Sequence, residues 1–164
     1  MNSTTSQSNA SLTTRIINPL LSAVRNAFGD MLECDTERGG LELRDLDVPL
    51  YEVSVVILVT GRAKGLFCIS FDGDTALSIV ERLLGDRPNR VDEDVLDAMG
   101  EMANMITGAT KSELNLGMNI GLPKVVRGES EEISFPDESH PMRVHYGSDI
   151  GPFCIDFGFV ERNL

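Results

Sequence analysis

The chain has 164 residues, 41% of them hydrophobic, enough for one domain with its own core. Its 26 acidic residues outweigh 14 basic ones, a net charge of −12, which argues against nonspecific binding to nucleic acid or to an anionic membrane. No apolar run reaches the length of a membrane span, and the first 13 residues lack the apolar core of a signal peptide, so a cytoplasmic protein is expected.

Residues 1–13 are rich in Ser, Thr, Asn and Gln and are expected to form a disordered tail, leaving 14–164 as a single domain. Asn18-Pro19 reads as a helix start, with Asn as N-cap and Pro at the first helical position. Leu20, Leu21, Val24, Ala27, Phe28 and Met31 then form the apolar face of a helix ending near Leu32. Gly39-Gly40 is expected to break the chain, with a short strand around Leu41 and Leu43. Tyr51–Thr60 and Leu66–Phe71 are β-branched and apolar enough to be strands, and the Gly61–Gly65 stretch between them reads as a hairpin turn. Gly61-x-x-x-Gly65 lacks the Gly-Lys-Ser/Thr of a phosphate loop. A helix capped by Asp74 or Thr75 follows, with Ala76, Leu77, Val80, Leu83 and Leu84 on its apolar face and Gly85 as its stop.

The longest helical pattern runs from Asp92 to Gly117. Asp92 is the expected N-cap, Glu93 and Asp94 suit the first turn, and Val95, Leu96, Met99, Met102, Ala103 and Ile106 form the buried face. On the opposite face, at 100° per residue, Asp97, Glu101, Asn104, Gly108, Lys111 and Asn115 fall within about 80° of one another. Glu101 and Asn104 are i,i+3 neighbours whose side chains emerge together. Gly108, one turn on, costs about 1 kcal/mol of helix stability relative to alanine and leaves room for close approach. Beyond Gly117, Ile120–Val126 reads as an edge or interrupted strand because of Pro123. Residues 128–140 read as an acidic loop with a brief Ile133–Phe135 extension, and Met142–Tyr146 and Phe153–Val160 as a last hairpin turning at Gly147–Gly151. Helix-then-strands occurs twice, over 19–71 and 93–160.

The chemistry offered is limited. Asn is neither base nor nucleophile near neutral pH, but it orients water; Glu101 suits either a general base or an ion-pair anchor. Cys34, Cys68 and Cys154 are far apart and odd in number, so buried free thiols are expected. His140 and His145 form no metal-ligand spacing, and no third ligand joins Glu101 and Asp97 on their face. No cofactor of the chain's own is therefore expected.

Asp97-x-x-x-Glu101-x-x-Asn104, followed by Gly108, resembles the signature helix of the CheC/CheX family of bacterial chemotaxis phosphatases. EDVLDAMGEMANMITGATKSEL resembles CheX in particular, as do INPLLSAVRNAFGDML and GLFCISFDGDTALSIVERLLGD. The likeness covers most of 16–159. It implies an α+β fold, a two-fold α-β-β arrangement with long helices on a largely antiparallel sheet. It also implies a phosphatase acting on the aspartyl phosphate of a CheY-like response regulator in two-component signalling. In that reading Asn104 aligns the attacking water and Glu101 pairs with the partner's lysine, while Met105 and the Gly108 notch help the helix approach and Asp97 supports. Mg²⁺ belongs to the partner. Only one half carries the signature, since the Asn18-Pro19 helix has no Glu-x-x-Asn. Pro123 follows Asn104 at a shorter interval than the family pattern, so a trimmed helix end or loop is expected. A homodimer joined across sheet edges is also implied, through open edges on Tyr51–Thr60 or Phe153–Val160. The alternative is a regulator-binding or flagellar-switch scaffold without turnover.

Overall fold

The computed structural model describes residues 3–45, 47–114, 117–128 and 133–163, with side chains from Leu12 onward. Elements follow in the order α1 (Ser3–Leu32), β1 (Thr36–Leu43), β2 (Val53–Gly61), β3 (Ala63–Phe71), α2 (Gly73–Leu84), α3 (Glu93–Leu114), β4 (Met118–Ile120), β5 (Lys124–Arg127), β6 (Met142–Ser148) and β7 (Phe153–Glu161). The seven strands form one sheet in the order β1-β6-β7-β3-β2-β4, with β5 also paired to β2, and every pairing is antiparallel.

A two-fold plan organises this sheet. One half is α1-β1-β2-β3 and the other is α3-β4/β5-β6-β7. Strands β3 and β7 join the halves at the centre, in register from Ala63↔Glu161 to Phe71↔Phe153. Each half then lends its first strand to the other: β1 edges β6, and β4 and β5 edge β2. Strand alternation sends Val55, Ile57, Phe67, Ile69, Phe153, Ile155 and Phe157 to the helical face, where they meet α1 and α3. Phe153 stacks on Phe28 of α1, with ring centroids 4.6 Å apart.

Several elements differ from their sequence reading. Helix α1 has no start at Asn18-Pro19; it runs through Pro19, which has no N–H to donate to the Arg15 carbonyl. What outweighs that loss is burial, since Leu12 and Thr13 are buried along with Ile16 and Leu20. Thr13 Oγ1 also donates to the Ser139 carbonyl at 3.1 Å. The described backbone of the expected tail is helical and the core begins inside it; Met1 and Asn2 lie outside the described residues. Gly39-Gly40 does not end an element but sits in β1 where the register against β6 slips, between Arg38 and Leu41. Gly65 belongs to β3, and its missing side chain admits the Gly158 carbonyl of β7. Helix α2 starts at Gly73, with Asp72 rather than Asp74 or Thr75 as its N-cap, and buries Ile79, while Leu84 is exposed. Pro123 does interrupt the strand expected over Ile120–Val126, splitting it into β4 and β5 on β2. Ile133–Phe135 forms no strand.

The edges expected on Tyr51–Thr60 and Phe153–Val160 are not open either: β2 and β7 are paired on both sides. The sheet ends instead in β1 and in β4/β5.

The sheet face away from the helices is buried as well, under segments 47–52 and 133–141. Leu50, Leu66 and Cys68 pack there with Val56, Ile133 and Phe135. Asp156 accepts from Arg143 Nε at 2.6 Å and Nη2 at 2.9 Å, and from Arg44 Nε at 2.7 Å. A buried carboxylate needs such partners, and here two guanidinium groups supply them. Burial pulls the Arg143 guanidinium down, yet its hydrogen bonds to Asp156 leave it above its ordinary value. Arg44 also donates to the Val48 carbonyl at 2.9 Å, tying Val48 to the end of β1.

Candidate functional site

Helix α3 begins where Asp92 Oδ1 accepts the Val95 N–H at 3.0 Å, as an N-cap should. Val95, Met99, Gly100, Met102, Ala103, Ile106, Thr107 and Thr110 are buried. The two threonines settle their hydroxyls within the helix, Thr107 on Ala103 O at 3.0 Å and Thr110 on Ile106 O at 2.7 Å. Leu96 is only partly buried at the margin of the core. This packing holds the helix rigidly and turns the opposite stripe outward.

Asp97, Glu101, Asn104 and Met105 are all exposed on that stripe, and Gly108 is half-exposed beside them. A Cβ added at Gly108 would meet no atom within 4 Å, so the notch opens to solvent. Asn115, expected as the end of the stripe, lies outside the described residues. Among the described residues the Glu101 carboxylate and the Asn104 amide have no hydrogen-bonding or ionic partner. Both groups are therefore positioned by the backbone and left unspent by the fold.

The pair stands on a convex helix surface. A cleft of about 530 Å³ lies elsewhere, by Leu12, Arg62 and Arg162, and one of about 540 Å³ lies at the start of α3, by Arg90, Asp92 and Arg127. Neither is lined by Glu101 or Asn104. A convex pair cannot enclose a small molecule, but it can enter a concave site on another protein.

Other reactive groups are withdrawn from chemistry. All three cysteines are buried free thiols. Burial, helped by the Asp156 charge, pushes the Cys154 thiol up to about 12 and raises Cys68 in the same way, so neither is a nucleophilic thiolate near neutral pH. His145 Nε2 contacts Glu42 Oε1 at 2.7 Å on the exposed β1–β6 edge. Among the described residues no three His, Cys, Asp or Glu side chains converge as metal ligands, and no helix is long and apolar enough to cross a membrane.

One flank of the site was not apparent beforehand. Gly100, immediately before Glu101, faces Val125 and Pro123, with the Pro123 Cβ and Cγ 3.8 Å from where its Cβ would be. The loop 121–123 thus lies against the helix turn that carries Glu101. Gly100, a poor helix former in mid-helix, is the one sequence sign of this close approach.

The family model described as "Chemotaxis phosphatase CheX" matches residues 53–147, which include α3 and this loop. The chain belongs to the CheX family. A curated relative, the CheY-P phosphatase CheX of Thermotoga maritima, is 32% identical over 124 residues, covering 73% of this chain and 79% of the relative. Among solved structures, the chemotaxis protein CheX of Vibrio vulnificus has 28% identity and a TM-score of 0.80, covering 88% of this chain and 99% of that one. CheX of Borrelia burgdorferi, solved in a complex with CheY, BeF3 and Mg²⁺, shares the fold at 24% identity and a TM-score of 0.74, covering 88% of this CheX-family chain and 97% of its own.

Proposed function

We propose that this CheX-family chain is a phosphatase that accelerates hydrolysis of the aspartyl phosphate on a CheY-like response regulator. The observation that carries the reading is the Glu101–Asn104 pair: side by side on a rigid helix, exposed, and without internal partners among the described residues. The curated relative named for CheY-P hydrolysis supports the choice of substrate.

In this reading the regulator supplies the phosphoryl group, its lysine and its Mg²⁺, and this chain supplies what the regulator lacks. Asn104 enters beside the phosphorus and holds a water through its amide, which both donates and accepts. The water oxygen attacks phosphorus in line. The bond from phosphorus to the aspartyl oxygen breaks, the regulator's carboxylate is released, and inorganic phosphate leaves with the water's protons. Asn104 transfers no proton, so its contribution is positional, as for glutamine in GTPases. Glu101 forms an ion pair with the regulator's lysine and fixes the docked geometry. Asp97 supports this contact, and Met105 and the Gly108 notch let the helix approach.

The test is decay of a phosphorylated regulator in Mg²⁺ with catalytic amounts of this chain. Asn104→Ala should lower turnover by on the order of 100-fold with the fold intact, because a contact made in the transition state is lost and alanine is the better helix former. Decay no faster than the spontaneous rate with a binding regulator would refute the phosphatase. Full activity in Asn104→Ala would leave the enzyme and remove this mechanism.

The chain is also proposed to form a homodimer, now through the outer edge of the sheet at β1, whose residues are largely exposed. Sedimentation equilibrium showing only a 17.9 kDa species at micromolar concentration would end that proposal.

A further inference from the structure

The loop between β4 and β5 holds a leucine beside the Glu101–Asn104 face. On one side of it, the Gly121 N–H donates to the Leu58 carbonyl of β2 at 2.8 Å. On the other, Pro123 rests against Gly100 of α3. The residue before a proline is confined to extended conformations, so the backbone of Leu122 is held from both directions. Its side chain is nevertheless 92% exposed.

A single exposed leucine is ordinary on a protein surface; the position of this one is not. Around α3, at 100° per residue, Met105 lies about 40° to one side of Glu101 and Asn104 about 60° to the other. Gly100, against which the loop packs, lies about 40° beyond Asn104 in the same direction. Met105 is itself 43% exposed. The polar pair is therefore bracketed by two apolar side chains, one on the helix and one on the clamped loop. Interfaces that must exclude water from a polar contact are built in this way, with apolar anchors around the groups that do the work.

We propose that Leu122 is a specificity-determining contact for the phosphorylated response regulator, seating in an apolar recess of that partner and closing the Gly100 side of the shared site against bulk water. The proposal rests on the phosphatase reading above. The occupant is the regulator, not a second copy of this chain, because Pro123 ties the loop to the helix turn bearing Glu101. Gly100, against which the neighbouring Pro123 packs, lies one helical turn before Asn104, so a protein docked over Asn104 reaches towards this loop. With its backbone already held, docking orders only the side chain of Leu122, so its burial contributes to affinity.

The experiment measures decay of the phosphorylated CheY-like regulator with catalytic amounts of full-length wild type, Leu122→Ala, Leu122→Asp and Leu122→Met. Expected results are a KM raised about tenfold or more by Ala and Asp, kcat held within about threefold, and most of the affinity kept by Met. Thermal midpoints should not move, since the side chain contacts little in the free protein. If Ala and Asp leave KM within twofold of wild type while Asn104→Ala abolishes turnover, the phosphatase reading stands and the Leu122 assignment is overturned. If kcat falls and KM does not rise, Leu122 does not act in association and the assignment is likewise overturned. If Leu122→Asp lowers the sedimentation mass relative to wild type, the leucine serves a contact between copies and the regulator assignment falls. If wild type does not accelerate decay, both readings fall together.

Discussion

Helices α1 and α3 fill equivalent places in the two halves and bury much the same pattern of positions along their middle turns. Pairing Ile16 with Val95, Leu20 with Met99, Ala23 with Met102, Val24 with Ala103, Ala27 with Ile106 and Phe28 with Thr107 sets buried residue against buried residue throughout. Under that pairing Ser22 stands where Glu101 does, Arg25 where Asn104 does, and Gly29 where Gly108 does. The inner faces match because both helices lie on the same kind of sheet surface. The outer faces answer to no packing constraint and have diverged. Helix packing is thus satisfied without a Glu-x-x-Asn, and the pair on α3 needs a reason other than the fold. The comparison also tempers the argument from glycine: since α1 carries Gly29 at the matching place, a notch there does not by itself mark a docking face.

The largest expected effect on stability tests how far the equivalence extends. Leu12 is 1% exposed on α1 and falls opposite Val91, which is buried just ahead of α3. Leu12→Ala should destabilise by about 2–5 kcal/mol, as for other buried leucines, and lower the thermal midpoint by roughly 5–20 °C. Turnover by the protein that remains folded should not change. Deletion of residues 1–13, harmless for a disordered tail, should destabilise at least as much because it removes both Leu12 and Thr13. A midpoint unmoved by Leu12→Ala would show that α1 joins the core only further along and would restore the tail boundary read from sequence.

A smaller effect separates the two outer faces. At Gly29 and at Gly108 an added Cβ meets nothing within 4 Å. Alanine at either site should therefore stabilise by about 1 kcal/mol or slightly less. Only Gly108→Ala should raise KM for the regulator; Gly29→Ala, and Arg25→Ala beside it, should leave turnover unchanged. Equal loss of activity from Gly29→Ala and Gly108→Ala would break the distinction between the helices, and no loss from either would remove Gly108 from the site.

Much of the candidate site was legible in advance because it lies within one helix. Glu101, Asn104, Met105 and Gly108 share a face through local periodicity, and the N-cap at Asp92 and the buried stripe from Val95 to Ile106 follow from the same rule. Gly100 and Leu122 were not legible. Their relation depends on β4 and β5 both pairing with β2, which brings a distant loop onto the helix.

What the sequence by itself determined, then, is the kind of each long element and the face each helix turns outward. Those are local properties, set by residue spacing and β-branching over one or two turns. Tertiary structure alone decided which strands are neighbours, because backbone hydrogen bonds are alike for every strand and carry no address. It also decided the course of α1. Asn18-Pro19 favours a helix start locally, but the buried contacts of Leu12, Thr13 and Ile16 outweigh one missing hydrogen bond at Pro19. In β7, Asp156 stands in an apolar run, and only the folded sheet shows the two arginines, brought from β6 and the end of β1, that make its burial tolerable.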